Sequence, residues 1–98
     1  MSTGAGGPAQ RFRASLEAVY NRTGDEGILI HMKTNRIHEL NRTTARMWEL
    51  LQAGNDRDAI QRTMLQEFDV TEVQLAREVD ELLARLQEEQ LIYPDLGG

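Results

Sequence analysis

Gly27-Ile28-Leu29-Ile30-His31-Met32-Lys33-Thr34-Asn35-Arg36-Ile37-His38-Glu39-Leu40-Asn41 is the stretch in which the hydrophobic period of the chain changes. Up to Leu40 the apolar residues form short β-rich runs; beyond Asn41 they recur every three or four residues. Ile28 to Met32 reads as a strand. Lys33-Thr34-Asn35-Arg36 reads as a tight turn because Asn35 tolerates positive φ, and Ile37 to Leu40 returns as a short third strand. Upstream, Leu16, Ala18 and Tyr20 alternate with polar or small residues, and Gly24-Asp25-Glu26-Gly27 supplies a turn. The expectation is an antiparallel meander of three strands.

Downstream, Asn41 is placed as an N-cap, Ala45, Trp48 and Leu51 share one helical face, and Gly54 is the stop. Asn55 or Asp56 caps a second helix with Ile60, Met64 and Phe68 at four-residue spacing, broken at Phe68-Asp69-Val70. Thr71-Glu72-Val73-Gln74 has the form of a capping box. It opens a third helix, to about Gln90, with Leu75, Val79, Leu82 and Leu86 as its core stripe. A flanking stripe of Val73, Ala76, Asp80, Leu83 and Gln87 lies about 100° round from that core. It is either the shoulder of a wide buried face or the floor of a groove. The fold class is therefore α+β, a winged helix-turn-helix layout in which a three-stranded antiparallel sheet is followed by three helices.

The chain has 98 residues, enough for one domain. Its Gly- and Ala-rich start reads as a disordered tail over residues 1–11, with a folded unit over 12–93 and a short C-terminal tail over 94–98. A unit of this size has little room for a deep catalytic cavity beside its core. The absence of cysteine removes disulfides, thiolate zinc sites and cysteine nucleophiles, and fits a reducing compartment. The N-terminus lacks the pattern of a secretory signal, and no apolar run approaches the ~18 residues of a membrane span. Cytoplasmic localisation without a membrane partner is expected. Charge is uneven. Met1 to Trp48 carries seven basic and four acidic residues, and Glu49 to Gly98 four basic and twelve acidic, so the halves are +3 and −8.

Catalytic chemistry finds little support. His31 and His38, the only histidines, would face each other across a hairpin with a two-residue turn at Thr34-Asn35. Two ligands with Glu39 nearby do not make a metal site, so neither a metal nor any other cofactor is expected. No phosphate loop, nucleophile elbow or His-Glu-x-x-His helix occurs, and the carboxylates fall on exposed helix faces. The expectation is a binding module and not an enzyme. The helix-turn-helix layout makes a DNA-binding transcription regulator the alternative. Against it, the third helix carries six acidic residues between Glu72 and Glu89, opposed by Arg77 and Arg85 alone, which disfavours docking among phosphates. No nucleic-acid partner is expected.

Leu40-Asn41 followed by Thr44-Ala45-x-x-Trp48-x-Leu50-Leu51-x-x-Gly54 resembles the PqqD-type family, the RiPP recognition elements that bind leader peptides of ribosomally made natural products. The likeness extends to the meander from Gly27, to Glu67-Phe68-Asp69-Val70, and to a long last helix closing on Leu91-Ile92. The short form resembles the stand-alone leader-binding proteins of lasso-peptide pathways. The resemblance implies β-augmentation, in which a precursor's leader adds as a strand to the edge of the third strand and drops side chains into a groove against the third helix. Arg36, Ile37, His38, Glu39 and Leu40 would supply main-chain groups. Val73, Ala76 and Leu83 would line pockets, with Arg77 and Asp80 at the rim. Leu83→Glu is then expected to abolish binding and leave folding unchanged. The implied partners are the precursor leader peptide and the leader-removing protease and cyclase of its pathway. The free strand edge also allows a homodimer.

Overall fold

The computed structural model describes residues 10–95. In order, the elements are β1 (Phe12–Ala14), β2 (Ala18–Thr23), β3 (Glu26–His31), β4 (Arg36–Leu40), α1 (Arg42–Gln52), α2 (Arg57–Glu67), α3 (Glu72–Glu88) and β5 (Ile92–Pro94). The expected meander is the antiparallel sheet β2-β3-β4, and the three helices follow it. A second, two-stranded sheet pairs β1 with β5, with Arg13 opposite Tyr93. No periodicity in three-residue strands announces such a pairing. Most of the expected N-terminal tail, and residues 96–98 of the expected C-terminal one, lie outside the described residues. At their inner ends, the Arg57 amide donates to the Gln10 carbonyl at 2.9 Å and the Asp95 amide to the Arg11 carbonyl at 2.8 Å.

Three details of the strands differ from expectation. Leu16 is fully exposed and belongs to the turn between β1 and β2, not to a strand. Ser15 explains this, because its hydroxyl accepts the Glu17 amide and its carbonyl the Ala18 amide, closing a turn across Leu16. The turn after β2 is only two residues long, since Thr23 pairs with Glu26, and Gly24 supplies the positive φ of 65° that it requires. The hairpin from β3 to β4 is joined by four residues, not two. Asn35 does take positive φ, 61°, and its amide bonds the His31 carbonyl. The register places His31 opposite Arg36 and His38 opposite Leu29, so the histidines do not face each other. The shift is two residues, so the side chains that share a face across the hairpin are the same in either register.

Asn41, Asp56 and Thr71 cap the three helices by accepting the amides of Thr44, Ala59 and Gln74. The reciprocal half of the expected capping box is not made, because the Gln74 side chain donates to Glu78 instead. The first and last helices end in the same way. After α1 the amides of Gly54 and Asn55 bond Leu51 and Leu50, with Gly54 at φ 101°. After α3 the amides of Gln90 and Leu91 bond Gln87 and Leu86, with Gln90 at φ 60°. A left-handed glutamine is strained where a glycine is not. Gln90→Gly is therefore expected to raise stability by about 0.5–1 kcal/mol, the relief of that strain less the extra chain entropy of glycine. Urea denaturation measures it.

Trp48 lies fully buried between the sheet and the helices, with Leu29, Met64, Leu75 and Leu86 among the buried side chains of the same core. Tyr20 packs beside it, ring centroids 6.3 Å apart, and donates its hydroxyl to Glu49 at 2.7 Å. Arg22 reaches both oxygens of the same carboxylate, and Arg46 adds a contact at 3.5 Å, which ties the sheet to α1. Burial pushes the Glu49 carboxyl up, but the hydrogen bonds from Tyr20 and Arg22 outweigh it and hold the group below its usual range. A lowered native pKa means that Glu49 adds stability above the ordinary glutamate range and loses it as the pH falls through the native value. In Glu49→Gln the decline of melting temperature from pH 6 to pH 3 is expected to be shallower than in the wild type. The Tyr20 hydroxyl is pushed up to about 12 by burial and by Glu49, so its contribution is present below pH 10 and is lost as the pH rises through that value.

Candidate functional site

β4 pairs with β3 on one side only, so its other edge carries main-chain donors and acceptors with no strand partner among the described residues. Its side chains divide by alternation. Leu40 is buried and His38 half-buried on the inner face with Arg36, while Ile37 and Glu39 face outward. Ile37, 64% exposed, stands in register with Ile30 and, through it, with Val19 on the outer face of the sheet. The inner face meets the end of α3. Arg36 pairs with Glu89 at 2.9 Å, and His38 Nε2 lies 3.5 Å from the same carboxylate, close enough for attraction when protonated but without hydrogen-bond geometry.

α3 has two shoulders, one on either side of its core stripe, and the structure gives them different neighbours. The shoulder with Ala76, Asp80 and Leu83 turns to α2. Arg57, at the start of α2, donates to Asp80 at 2.7 Å and to the Ala76 carbonyl at 3.3 Å. Leu83 is 5% exposed and belongs to the core. Val73 is 80% exposed in the first turn, and Arg77 is exposed on the outer side. These five residues therefore do not gather beside β4, and Leu83→Glu cannot leave folding unchanged. The apolar character that singled out this shoulder is explained by its packing on α2.

The opposite shoulder, rotated about 100° the other way, carries Glu78, Glu81 and Arg85. With Leu82 these residues form one wall of an open hollow of about 310 Å³ whose other wall is Asn41, Thr43 and Thr44, where β4 runs into α1. A second hollow of about 370 Å³ lies against the end of β4, bordered by Gly27, Glu39, Leu40, Asn41, Thr44 and Arg85. Asn41, Thr44 and Arg85 line both, so the two form one groove from the end of the sheet, where Leu40 pairs with Gly27, to α3. Sequence reasoning passed over Glu78, Glu81 and Arg85 because charged side chains at 3,4 spacing read as a solvated face. Only the position of the meander relative to the helix tells them apart. Among the described residues no cluster of three or more His, Cys, Asp or Glu could hold a metal ion, and no helix is long and apolar enough to cross a membrane.

The family model for coenzyme PQQ synthesis protein D (PqqD) matches residues 26–92, from the start of β3 to the start of β5. The chain belongs to the PqqD family. That match takes in β4, α3 and all of the groove's lining except Thr23, and leaves β1 and β2 outside. No curated protein sequence matches the chain. Two solved structures share the fold of this PqqD-family chain. TbiB1 in complex with the TbiA(beta) leader peptide is 26% identical over 85% of this chain and 99% of its own, with a TM-score of 0.77. Lasso peptide synthetase B1 complexed with the leader peptide is 21% identical over 86% of this chain and 99% of its own, with a TM-score of 0.76. The likeness to a PqqD-like recognition element, read first from Leu40-Asn41 and Trp48, holds in family and in fold.

Proposed function

We propose that this PqqD-family chain binds the leader segment of a ribosomally made precursor peptide, of the lasso type, and has no catalytic role of its own. The leader adds as a strand to the free edge of β4, along Arg36, Ile37, His38, Glu39 and Leu40, and its inward side chains enter the groove against α3. The observation that carries the reading is the juxtaposition of an unpaired edge strand with an open groove at its Leu40 end, all but Thr23 of whose lining falls inside the segment that matches the family. Two protein complexes of the same fold, each holding a leader peptide, support it. Ala76, Asp80 and Leu83 hold the far side of α3 in place, Val73 and Arg77 lie exposed away from the groove, and Glu78, Glu81, Leu82 and Arg85 face the peptide. The bound precursor is presented to a leader-removing protease and then to a cyclase.

Fluorescence polarisation with a labelled leader, taken from the precursor encoded beside the gene, tests this. Saturable binding at micromolar concentration or below is expected, with competition by unlabelled leader and none by a scrambled sequence. Equal competition by the scrambled peptide would contradict the reading. Because the β4 edge is also open to a second copy, leader binding is expected to leave a monomeric complex in sedimentation. A stable dimer that excludes leader would reverse that assignment.

A further inference from the structure

Arg85 is the one residue of α3 that lines both hollows of the groove. The other charged side chains around those hollows are all carboxylates, Glu26 and Glu39 on the sheet side and Glu78 and Glu81 on the helix. The arginines of β2, β4 and α1 have partners, Arg42 through the Phe68 ring, 5.0 Å from its guanidinium carbon. Arg36 pairs with Glu89, and Arg22 and Arg46 are held by Glu49 and Glu67. Among the described residues the Arg85 guanidinium makes no ion pair or hydrogen bond, although Glu81 and Glu89 stand one turn away on either side of it. Two polar groups beside it are bonded to each other. Asn41 accepts the Thr44 amide and hydroxyl to cap α1. Among the described residues Arg85 thus offers the groove its only free guanidinium, a planar fork of donors suited to two-point recognition of a carboxylate.

Resting on the leader-binding reading, we propose that Arg85 determines specificity by pairing with one Asp or Glu side chain of the bound peptide. That side chain points inward at the Leu40 end of the added strand, where the groove passes from β4 to α3. The surrounding glutamates sharpen the choice, since they repel a carboxylate at any position out of reach of Arg85. The groove would then read register as well as composition, because a slip of one residue turns the acidic side chain to the other face.

A double-mutant cycle by fluorescence polarisation tests the pairing, with the neighbouring precursor's leader as probe and each of its acidic residues changed in turn to Asn or Gln. Arg85 is exposed, so Arg85→Gln is expected to leave the melting temperature unchanged. It should weaken the wild-type leader about tenfold, and one neutralised leader should show the same loss and no further loss with Arg85→Gln. Arg85→Glu should bind the leader carrying Lys at that position better than the wild-type leader. Wild-type binding with no loss on Arg85→Gln, or equal losses for every leader whatever its carboxylates, would overturn the pairing and leave leader binding intact. Absence of binding by the wild-type protein would instead remove the leader reading, and the pairing with it.

Discussion

Leu83→Glu is expected to unfold the domain. The side chain is 5% exposed in the core between α3 and its neighbours, and removing such a leucine alone costs about 2–5 kcal/mol. Putting a carboxylate in its place adds the penalty of a buried polar group without a partner. Together these take most of the ~5–15 kcal/mol that holds a small domain. Loss of cooperative thermal unfolding by circular dichroism is the expected signature, with Leu83→Met largely tolerated. A Leu83→Glu protein that melts like the wild type would mean that this side chain faces solvent and that the helix is rotated from its position here.

The second large effect is expected at Gly27. A Cβ there would stand 2.6 Å from Tyr20 Cε1, 3.0 Å from the Tyr20 hydroxyl and 3.2 Å from Ala45 Cβ. The tyrosine ring cannot yield without surrendering its hydrogen bond to Glu49, and Ala45 is fixed on α1 within the core. Gly27→Ala is expected to lose about 2–3 kcal/mol from overpacking and the broken charge-assisted bond. The mechanism is checked in a Tyr20→Ala background, where the same substitution should do little, because the atoms it meets first are gone. Equal losses in both backgrounds would place the strain in the backbone of β3 instead.

Much of the fold was legible because it rests on local signals. The change of period at Leu40-Asn41, the caps at Asn41 and Thr71, and the Gly54 stop each act within a few residues, and the structure shows each of them. The β1 to β5 pairing was not legible, since two three-residue strands from opposite ends of the unit carry no pattern. Hairpin register failed for a related reason. Asn35 announces a left-handed residue but not the length of the loop that ends there, and four residues move His31 from His38 to Arg36.

For the site, sequence singled out the shoulder of α3 that packs on α2, not the one that lines the groove. An apolar stripe beside a core stripe has two physical explanations, packing on another element or exposure in a groove, and Ala76, Asp80 and Leu83 take the first through Arg57 and the core. The groove side holds Glu78, Glu81 and Arg85, whose charges look like an ordinary wet surface until β4 and Asn41 are placed opposite them. Peptide grooves that rely on main-chain bonding need little apolar surface of their own, which makes them hard to find by hydrophobicity.

The most direct measurement is an NMR titration of the ¹⁵N-labelled protein with the leader peptide, followed by amide hydrogen exchange. Shifts are predicted for Arg36 to Leu40 and for Glu78, Glu81 and Arg85, with slowed exchange of amides on the free edge of β4. Shifts confined to Val73, Ala76 and Asp80, with no added protection in β4, would contradict it.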